Sequence, residues 1–480
     1  MKRQPHIGTD RPHPGARAKF LPMQADLHES RRHGQRHGGL LRGREPLSCL
    51  YKLPLPGRRS AIDFVGLPGP RYSDEPVVPP GGRATFRDVS LNMTVPHAHR
   101  LDQLPPYLFV QIDRAKREAI AAGRDVIDFG VGDPDRPTPE FILKSMEEAI
   151  RRPGNHRYAP GAGIPEFRRA ARDYMARRFD VDLDADREVI SVIGSKEGIG
   201  HLPTAIINPG DVVLVPEPGY PVYASGTIFA GGTCHVMPLA PERGWLPSLG
   251  DLPADARRKG RLMYLNYPNN PTGACCALSF LEEAVAFARE HGMLVAHDAA
   301  YCETWFDQPP PSILQVRGAK DVAVEFHSLS KTFNMTGWRL GFAAGNPDVL
   351  AALLKVKNNL DSGAFGAVQQ AGTVALNNVD HPDLRAQRDM YRTRRDTLID
   401  GLRAAGWSAH VPKATFYAWV ACSPNSSSMK TTTRLLQDAD VVAIPGEGFG
   451  PCGAGYIRFA LTVDVERIRE AVKRIARLTW

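Results

Sequence analysis

VAVEFHSLSKTFNMTGWRLGFAAGN, residues 322–346, is the stretch around which the rest of the chain is organised. It opens as an apolar, β-branched run (Val322, Val324, Phe326), the pattern of a buried strand. A loop rich in Ser, Thr, Asn and Gly follows, and then a second apolar run from Leu340 to Ala344. Lys331 stands where the strand ends, between hydroxyl residues and a Thr-Gly turn, and Arg339 lies eight residues beyond it. Burial at a strand end favours the neutral, nucleophilic form of a lysine amine. Ser328, Ser330 and Arg339 are donors of the kind a dianionic phosphate needs. Together these residues suggest Lys331 in an internal aldimine with pyridoxal phosphate, the phosphate held nearby. A surface lysine in a loop is the alternative reading of the same window.

The chain of 480 residues is long enough for two or three domains. No run approaches the roughly eighteen apolar residues of a membrane span. The seven cysteines include an adjacent pair, Cys275-Cys276, and have no CxxC spacing. Neither a disulfide framework nor a metal site is indicated, and a reduced, cytoplasmic setting fits. The net charge of +8 invites a nucleic-acid reading, but residues 1–92 hold 16 Lys+Arg against 8 Asp+Glu, leaving 44 against 44 in the remainder. The basic character belongs wholly to that first segment. Residues 1–92 are rich in Arg, His, Pro and Gly and lack periodicity, so disorder is expected. A transit-like peptide, a nucleic-acid arm and a start site assigned ahead of Met93 compete to explain them.

From Leu101 the pattern changes. Residues 109–122 and 138–152 have helical spacing, and 125–131 (DVIDFGV) read as a short strand. Near-continuous apolar strands follow at 189–195, 211–218, 234–239, 261–268, 293–300 and 322–330, alternating with helical or loop segments. Segment 279–292 is the clearest helix among them, with an apparent capping box from Ser279 to Glu282 and Gly292 to close it. Such alternation predicts an α/β fold, its mostly parallel sheet covered by helices on both faces. The chain then turns helical at 347–360, 364–377 and 382–404. It closes with strand-like FYAWVA and GYIRFALT and a helix over 464–478, the makings of a smaller α+β domain. The division expected is an extension over 1–92, an arm with part of the small domain over 93–145, a large cofactor domain over 146–370 and a C-terminal small domain over 371–480.

Four further sites follow strands, where ligands of such sheets collect. Asp298 ends a buried run and needs a cationic partner; a protonated pyridine nitrogen is one, a helix cap another role. Tyr301, three residues on, would donate to the ring's phenolic oxygen. Asn270, in the turn NNPTG, would donate there or to a substrate carboxylate, although a turn needs no function. Ser195 and Lys196 open a helical segment after a strand, where exposed amides bind phosphate. Tyr220 would stack on a planar ring or serve as core. Arg458, flanked by apolar residues, would clamp an α-carboxylate or make a structural ion pair.

In this order and spacing the residues resemble the class I/II aminotransferases, pyridoxal-phosphate enzymes of fold type I. LPPYLFVQIDRAKREAIAAGRDVIDFGVGDPDRPTP, VIGSKEGIGHLP, VPEPGYPVY, NYPNNPTGA and EFHSLSKTFNMTGWRLGF carry the resemblance, which spans about residues 98–480. Within the superfamily the chain is most similar to the LL-diaminopimelate aminotransferases. The resemblance implies Lys331 as Schiff-base lysine and proton shuttle, Asp298 on the pyridine nitrogen, and Tyr301 and Asn270 on the ring oxygen. It implies Tyr220 as the stacking ring, and Ser195, Lys196, Ser328, Ser330 and Arg339 as the phosphate cradle. Arg458 and Gly132 match α-carboxylate contacts, Tyr107 a substrate contact, and Tyr158 the residue lent to a neighbour's site in a homodimer.

The implied activity is ping-pong transamination between LL-diaminopimelate and 2-oxoglutarate, in lysine biosynthesis. One departure bears on the donor: many relatives carry an acidic residue in the loop after the Tyr158 position, and here Ala159–Gly163 contains none. A general aspartate, alanine or aromatic aminotransferase is therefore the nearest rival. Lyases and decarboxylases share the scaffold. A cofactor-binding transcriptional regulator is remote, because residues 1–92 hold too many Pro and Gly for a helix-turn-helix.

Overall fold

The computed structural model describes residues 96–480, apart from 105–107 and 424–425. The expectations placed on residues 1–92 and on Tyr107 lie outside the described residues. In chain order the strands are β1 (Ile127–Asp128), β2 (Val189–Val192), β3 (Val212–Glu217), β4 (Thr233–Pro238), β5 (Gly260–Asn266) and β6 (Leu294–Asp298). There follow β7 (Ala323–Ser328), β8 (Gly341–Gly345), β9 (Tyr417–Ala421), β10 (Val441–Val442), β11 (Ile444–Pro445) and β12 (Tyr456–Ala460).

Seven strands form the main sheet in the order β2-β8-β7-β6-β5-β3-β4. β8 alone is reversed; it is antiparallel to both β2 and β7, whereas the run from β7 to β4 is parallel throughout. Alternate side chains of each strand serve opposite faces. Val213, Tyr264, Ala296 and Phe326 pack on one side against helices Ser195–Ile206, Val222–Phe229 and Pro347–Leu360. Leu214, Met263, Val295 and Ala323 pack on the other against Pro165–Phe179, Leu278–His291 and Gly366–Asn377. The mostly parallel sheet with helices on both faces is the architecture expected from the sequence.

The second layer pairs β12 antiparallel with β9 and β11, and β1 parallel with β10. Helices Pro382–Ala404, Ser428–Ala439 and Val465–Ile475 cover it, around a core that includes Phe129, Leu398, Phe416 and Phe459. Tyr301, from the turn after β6, enters this same core. The long helix starts where Pro382 occupies its first turn, a position that needs no amide donor.

Two local expectations need correction. The capping box at Ser279 does not form: the helix starts at Leu278, Ala277 is its N-cap, and no side chain caps it. Burial of Phe280, Leu281, Ala284 and Val285 sets the helix's rotation and start, leaving Ser279 inside the first turn. Gly292 does close it, at φ 62°. The strand read over 125–131 narrows to β1, because the chain turns after Asp128, whose carboxylate accepts from Gly130 N at 2.7 Å. No helix among the described residues is long and apolar enough to cross a membrane.

Candidate active site

β5, β6 and β7 lie side by side in parallel and end at Asn266, Asp298 and Ser328. Their carboxyl ends open into a cavity of about 1000 Å³, lined also by Gly132, Ser195, Lys196 and Tyr220 and by residues of the second layer. This is where the strand order of a parallel sheet places ligands.

Asp298 forms the floor. It is 4% exposed, and its Oδ2 accepts from Tyr223 Oη at 2.8 Å while Oδ1 accepts from Ala300 N at 3.2 Å. Burial raises its pKa, and the hydrogen bonds from Tyr223 and Ala300 offset that only in part. Its donors are a hydroxyl and an amide, with no cation among them. A buried carboxylate in this setting fits a protonated ring nitrogen, which would supply the missing positive charge. Asn266 ties the floor together. Its Nδ2 donates to Asp298 O at 2.7 Å, and its Oδ1 accepts from Asn270 N at 2.8 Å.

One wall is built for an anion. The helix Ser195–Ile206 begins directly at Ser195, so its first-turn amides have no partners within the helix. Its N-cap, Gly194, has φ 78°, and a Cβ there would lie 2.3 Å from Arg339 Nη2. Glycine thus lets the guanidinium lie against the helix start. Ser328 caps the short turn Leu329–Thr332 through its hydroxyl, which accepts from Ser330 N at 3.2 Å. Lys196 Nζ stands 5.8 Å from the centroid of the Tyr220 ring. Ser195, Lys196, Tyr220, Ser328, Ser330 and Arg339 all line the cavity. A phosphate next to a flat ring suits this set.

The opposite wall suits a carboxylate. Arg458, 4% exposed, donates from Nη2 to Gly130 O at 2.9 Å and from Nη1 to Asn270 Oδ1 at 3.2 Å. The rings of Tyr417 and Phe449, 4.3 and 4.8 Å from its guanidinium carbon, fix its plane. Tyr417 Oη also meets Tyr301 Oη at 3.0 Å. Gly132 has to be small, since a Cβ would come within 2.2 Å of Tyr417 Oη.

Between the walls, Lys331 Nζ donates to Gly132 O at 2.9 Å and lies 5.6 Å from the Phe416 ring. The lysine sits in the helical turn just past β7, not in open loop. From the long helix, Gln387 Nε2 donates to the carbonyls of Lys331 and Thr332 at 3.2 and 3.3 Å. Outside the cavity, Glu197, His201 and Asp361 come close enough to hold a metal ion. Lys357 Nζ, however, already bridges Glu197 and Asp361 at 2.9 and 3.2 Å.

Tyr158 is not brought to the cavity; it is 89% exposed on the surface of this chain. Tyr223, Asn266, Tyr417 and Gln387 were not singled out by sequence. Tyr223 has no signal of its own in the sequence, since Tyr220 lies before the helix that begins at Val222. Nothing in the sequence pairs Tyr417 with Tyr301 or Gln387 with Lys331.

The family profile described as aminotransferase class I and II matches residues 124–475. Over 384 residues the chain is 52% identical to the LL-diaminopimelate aminotransferase of Syntrophobacter fumaroxidans, an alignment spanning 80% of this chain and 99% of that protein. The enzyme of the same name from Aquifex aeolicus is 51% identical over 79% of this chain and 98% of its own. Among solved structures, substrate-bound BacF from Bacillus subtilis superposes with a TM-score of 0.77 at 36% identity, covering 80% of this chain and 98% of that one.

Proposed function

The chain belongs to the class I and II aminotransferases, and from that premise we propose that it moves an amino group between LL-diaminopimelate and 2-oxoglutarate with pyridoxal phosphate as cofactor. The observation that carries the donor is the identity of 51–52% to relatives of that name, along 98–99% of their length. The cofactor rests on the cavity: a buried carboxylate on its floor, an anion-binding wall, and a lysine between them.

Bound there, pyridoxal phosphate would supply an aldehyde for the substrate's amino group and an electron-withdrawing ring. The chain's own residues do the rest. Asp298 holds the ring nitrogen and keeps it cationic. Tyr301 and Asn270 donate to the ring oxygen, Tyr220 stacks on the ring, and Ser195, Lys196, Ser328, Ser330 and Arg339 hold the phosphate. Arg458 takes the substrate α-carboxylate alongside Gly132, which turns the α-C–H towards Lys331. The Lys331 amine would take that proton from the substrate Cα and hold it for return. Asp298 is the wrong group for this transfer because Tyr223 and Ala300 hold it at the floor.

The same reading makes the protein a cytoplasmic homodimer. Tyr158, 89% exposed in this chain, would reach a neighbour's cavity, and Tyr107, outside the described residues, would contact substrate. It retains the division into an arm over 93–145, a cofactor domain over 146–370 and a small domain over 371–480.

Single-turnover mixing of the cofactor-loaded protein with an amino-donor panel tests the substrate. Loss of the visible band is expected to be fast with LL-diaminopimelate and glutamate and slow with aspartate, alanine and aromatic amino acids. Equally fast reaction across the panel would replace this reading with a general transaminase, the outcome favoured by the acid-free Ala159–Gly163 loop.

A further inference from the structure

Behind the cavity, on the opposite face of the sheet, lies a polar cluster that the chemistry above does not use. Its centre is Glu325, fully buried at 0% exposure, with His297 at 0% and His327 at 3%. Glu325 accepts from His297 Nδ1 at 2.9 Å, His327 Nε2 at 2.6 Å, Ser312 Oγ at 2.9 and 3.0 Å and Ile313 N at 2.8 Å. The other nitrogen of His327 is 3.5 Å from Cys302 Sγ, which is 3.3 Å from Tyr174 Oη. Tyr174 in turn donates to Glu303, the partner of Arg178 at 2.9 Å.

A carboxylate is costly to bury, and apolar residues of similar size pack a sheet face at least as well. Burial would raise the pKa of Glu325, but the hydrogen bonds from His297 and His327 outweigh it and hold the carboxyl well below the usual range. The Glu325 carboxylate is thus fully satisfied, whereas His297 Nε2 is left without a hydrogen-bond partner. Its placement is specific. His297, Cys302 and His327 are the immediate chain neighbours of Asp298, Tyr301 and Ser328, each of which lines the cavity. Strand alternation sends Asp298 and Ser328 forward to the site and His297 and His327 back to the cluster, and the turn after β6 divides Tyr301 and Cys302 in the same way. Glu325 lies opposite His297 in the β6-β7 register, so one carboxylate joins both strands to the turn at Ser312.

We propose that Glu325 is a positioning residue for transamination: it clamps the backs of β6 and β7 so that Asp298, Tyr301 and Ser328 are presented to the cofactor at fixed spacing. The inference rests on the pyridoxal-phosphate reading of the cavity and adds a second layer to it.

The test is Glu325→Gln, which keeps size and shape but removes the charge and one acceptor. Pyridoxal-phosphate affinity of the cofactor-free protein, the visible spectrum of the loaded protein, kcat and KM are measured for Glu325→Gln, Asp298→Asn and the double variant. We expect Glu325→Gln to bind the cofactor about tenfold or more weakly, the scale of one lost charged hydrogen bond. Its band should shift and kcat should fall, with KM little changed. In the Asp298→Asn background it should add less to the spectral shift than it causes alone, because part of its effect passes through Asp298. A lower melting temperature with unchanged affinity, spectrum and kcat would make the cluster structural only and overturn the clamp. So would full additivity with Asp298→Asn. If Glu325→Gln does not fold, Ser312→Ala removes one donor while keeping the charge, and the same pattern in smaller measure is required of it. Wild-type protein that binds no pyridoxal phosphate would overturn the reading of the cavity itself. Normal wild-type binding with an unaffected variant overturns the clamp alone.

Discussion

Replacing Tyr223 by Phe deletes one oxygen atom, the donor to Asp298 Oδ2 at 2.8 Å, in a place where both side chains are buried. The carboxylate keeps Ala300 N at 3.2 Å and gains nothing, because no water-sized change in packing accompanies the loss. A hydrogen bond to a charged group contributes about 1.5–3 kcal/mol when its partner is left buried. Unfolding entropy of about 2.1 cal/mol/K per residue, over a folded unit spanning residues 96–480, converts this to a fall of about 2–4 °C in the melting temperature of the cofactor-free protein. The sign of the pH dependence follows from Asp298. Its folded pKa is raised by burial, so its proton favours the fold, and stability is lost as pH rises through that raised value. Tyr223 opposes this by stabilising the ionised form, so its deletion lifts the pKa further. The penalty for Tyr223→Phe is therefore full above the raised pKa of Asp298 and shrinks as pH falls through it towards the unfolded value of 3.8. Thermal melts of wild type and variant, without cofactor, at a series of pH values measure it. A variant within about 0.5 °C of wild type across the whole pH series, or a deficit that does not vary with pH, would refute the assignment of that hydroxyl to the ionised carboxylate.

Gly194→Ala places a Cβ within 2.3 Å of Arg339 Nη2 at a residue with φ 78°, so the guanidinium has to leave the helix start. Equilibrium titration of the variant is expected to show pyridoxal-phosphate affinity reduced about tenfold or more, while affinity for phosphate-free pyridoxal changes little; equal loss for both would remove Arg339 from the phosphate wall. Gln387→Leu removes the donors to the carbonyls of Lys331 and Thr332. Rapid-mixing measurement of the first half-reaction should show a several-fold slower rate, about that of a neutral hydrogen bond, with cofactor affinity retained.

The fold was readable because the strands are continuous apolar runs broken by turn residues, and the alternation with helices leaves few arrangements. Asp298, Lys331 and Arg458 were readable for a related reason, being charged residues embedded in or ending those runs. The reversal of β8 was not readable, since Leu340 to Ala344 has the same composition whichever way it runs. Tyr417 and Gln387 act through partners more than fifty residues away in sequence, and spacing has nothing to say about such pairs. Glu325 and His327 lay in plain view within the opening stretch. Val324 and Phe326 occupy one face of β7, whereas Glu325 and His327 share the other, where two polar residues at alternate positions of a buried strand mark a polar cluster.

The strand order also dictates when the phosphate wall comes into being. β2, at one edge of the sheet, pairs with β8, so Val189 meets Ala344 and Val192 meets Gly341. During synthesis the segment carrying Ser195 must therefore wait for a partner about 150 residues downstream, a long-range closure of the kind that slows folding. Arg339 arrives only just before that partner. If the cavity holds pyridoxal phosphate as proposed, a nascent chain that has produced β3 to β6 would have Asp298 but not yet the phosphate wall, and cofactor capture would belong to the last stage of assembling the large sheet.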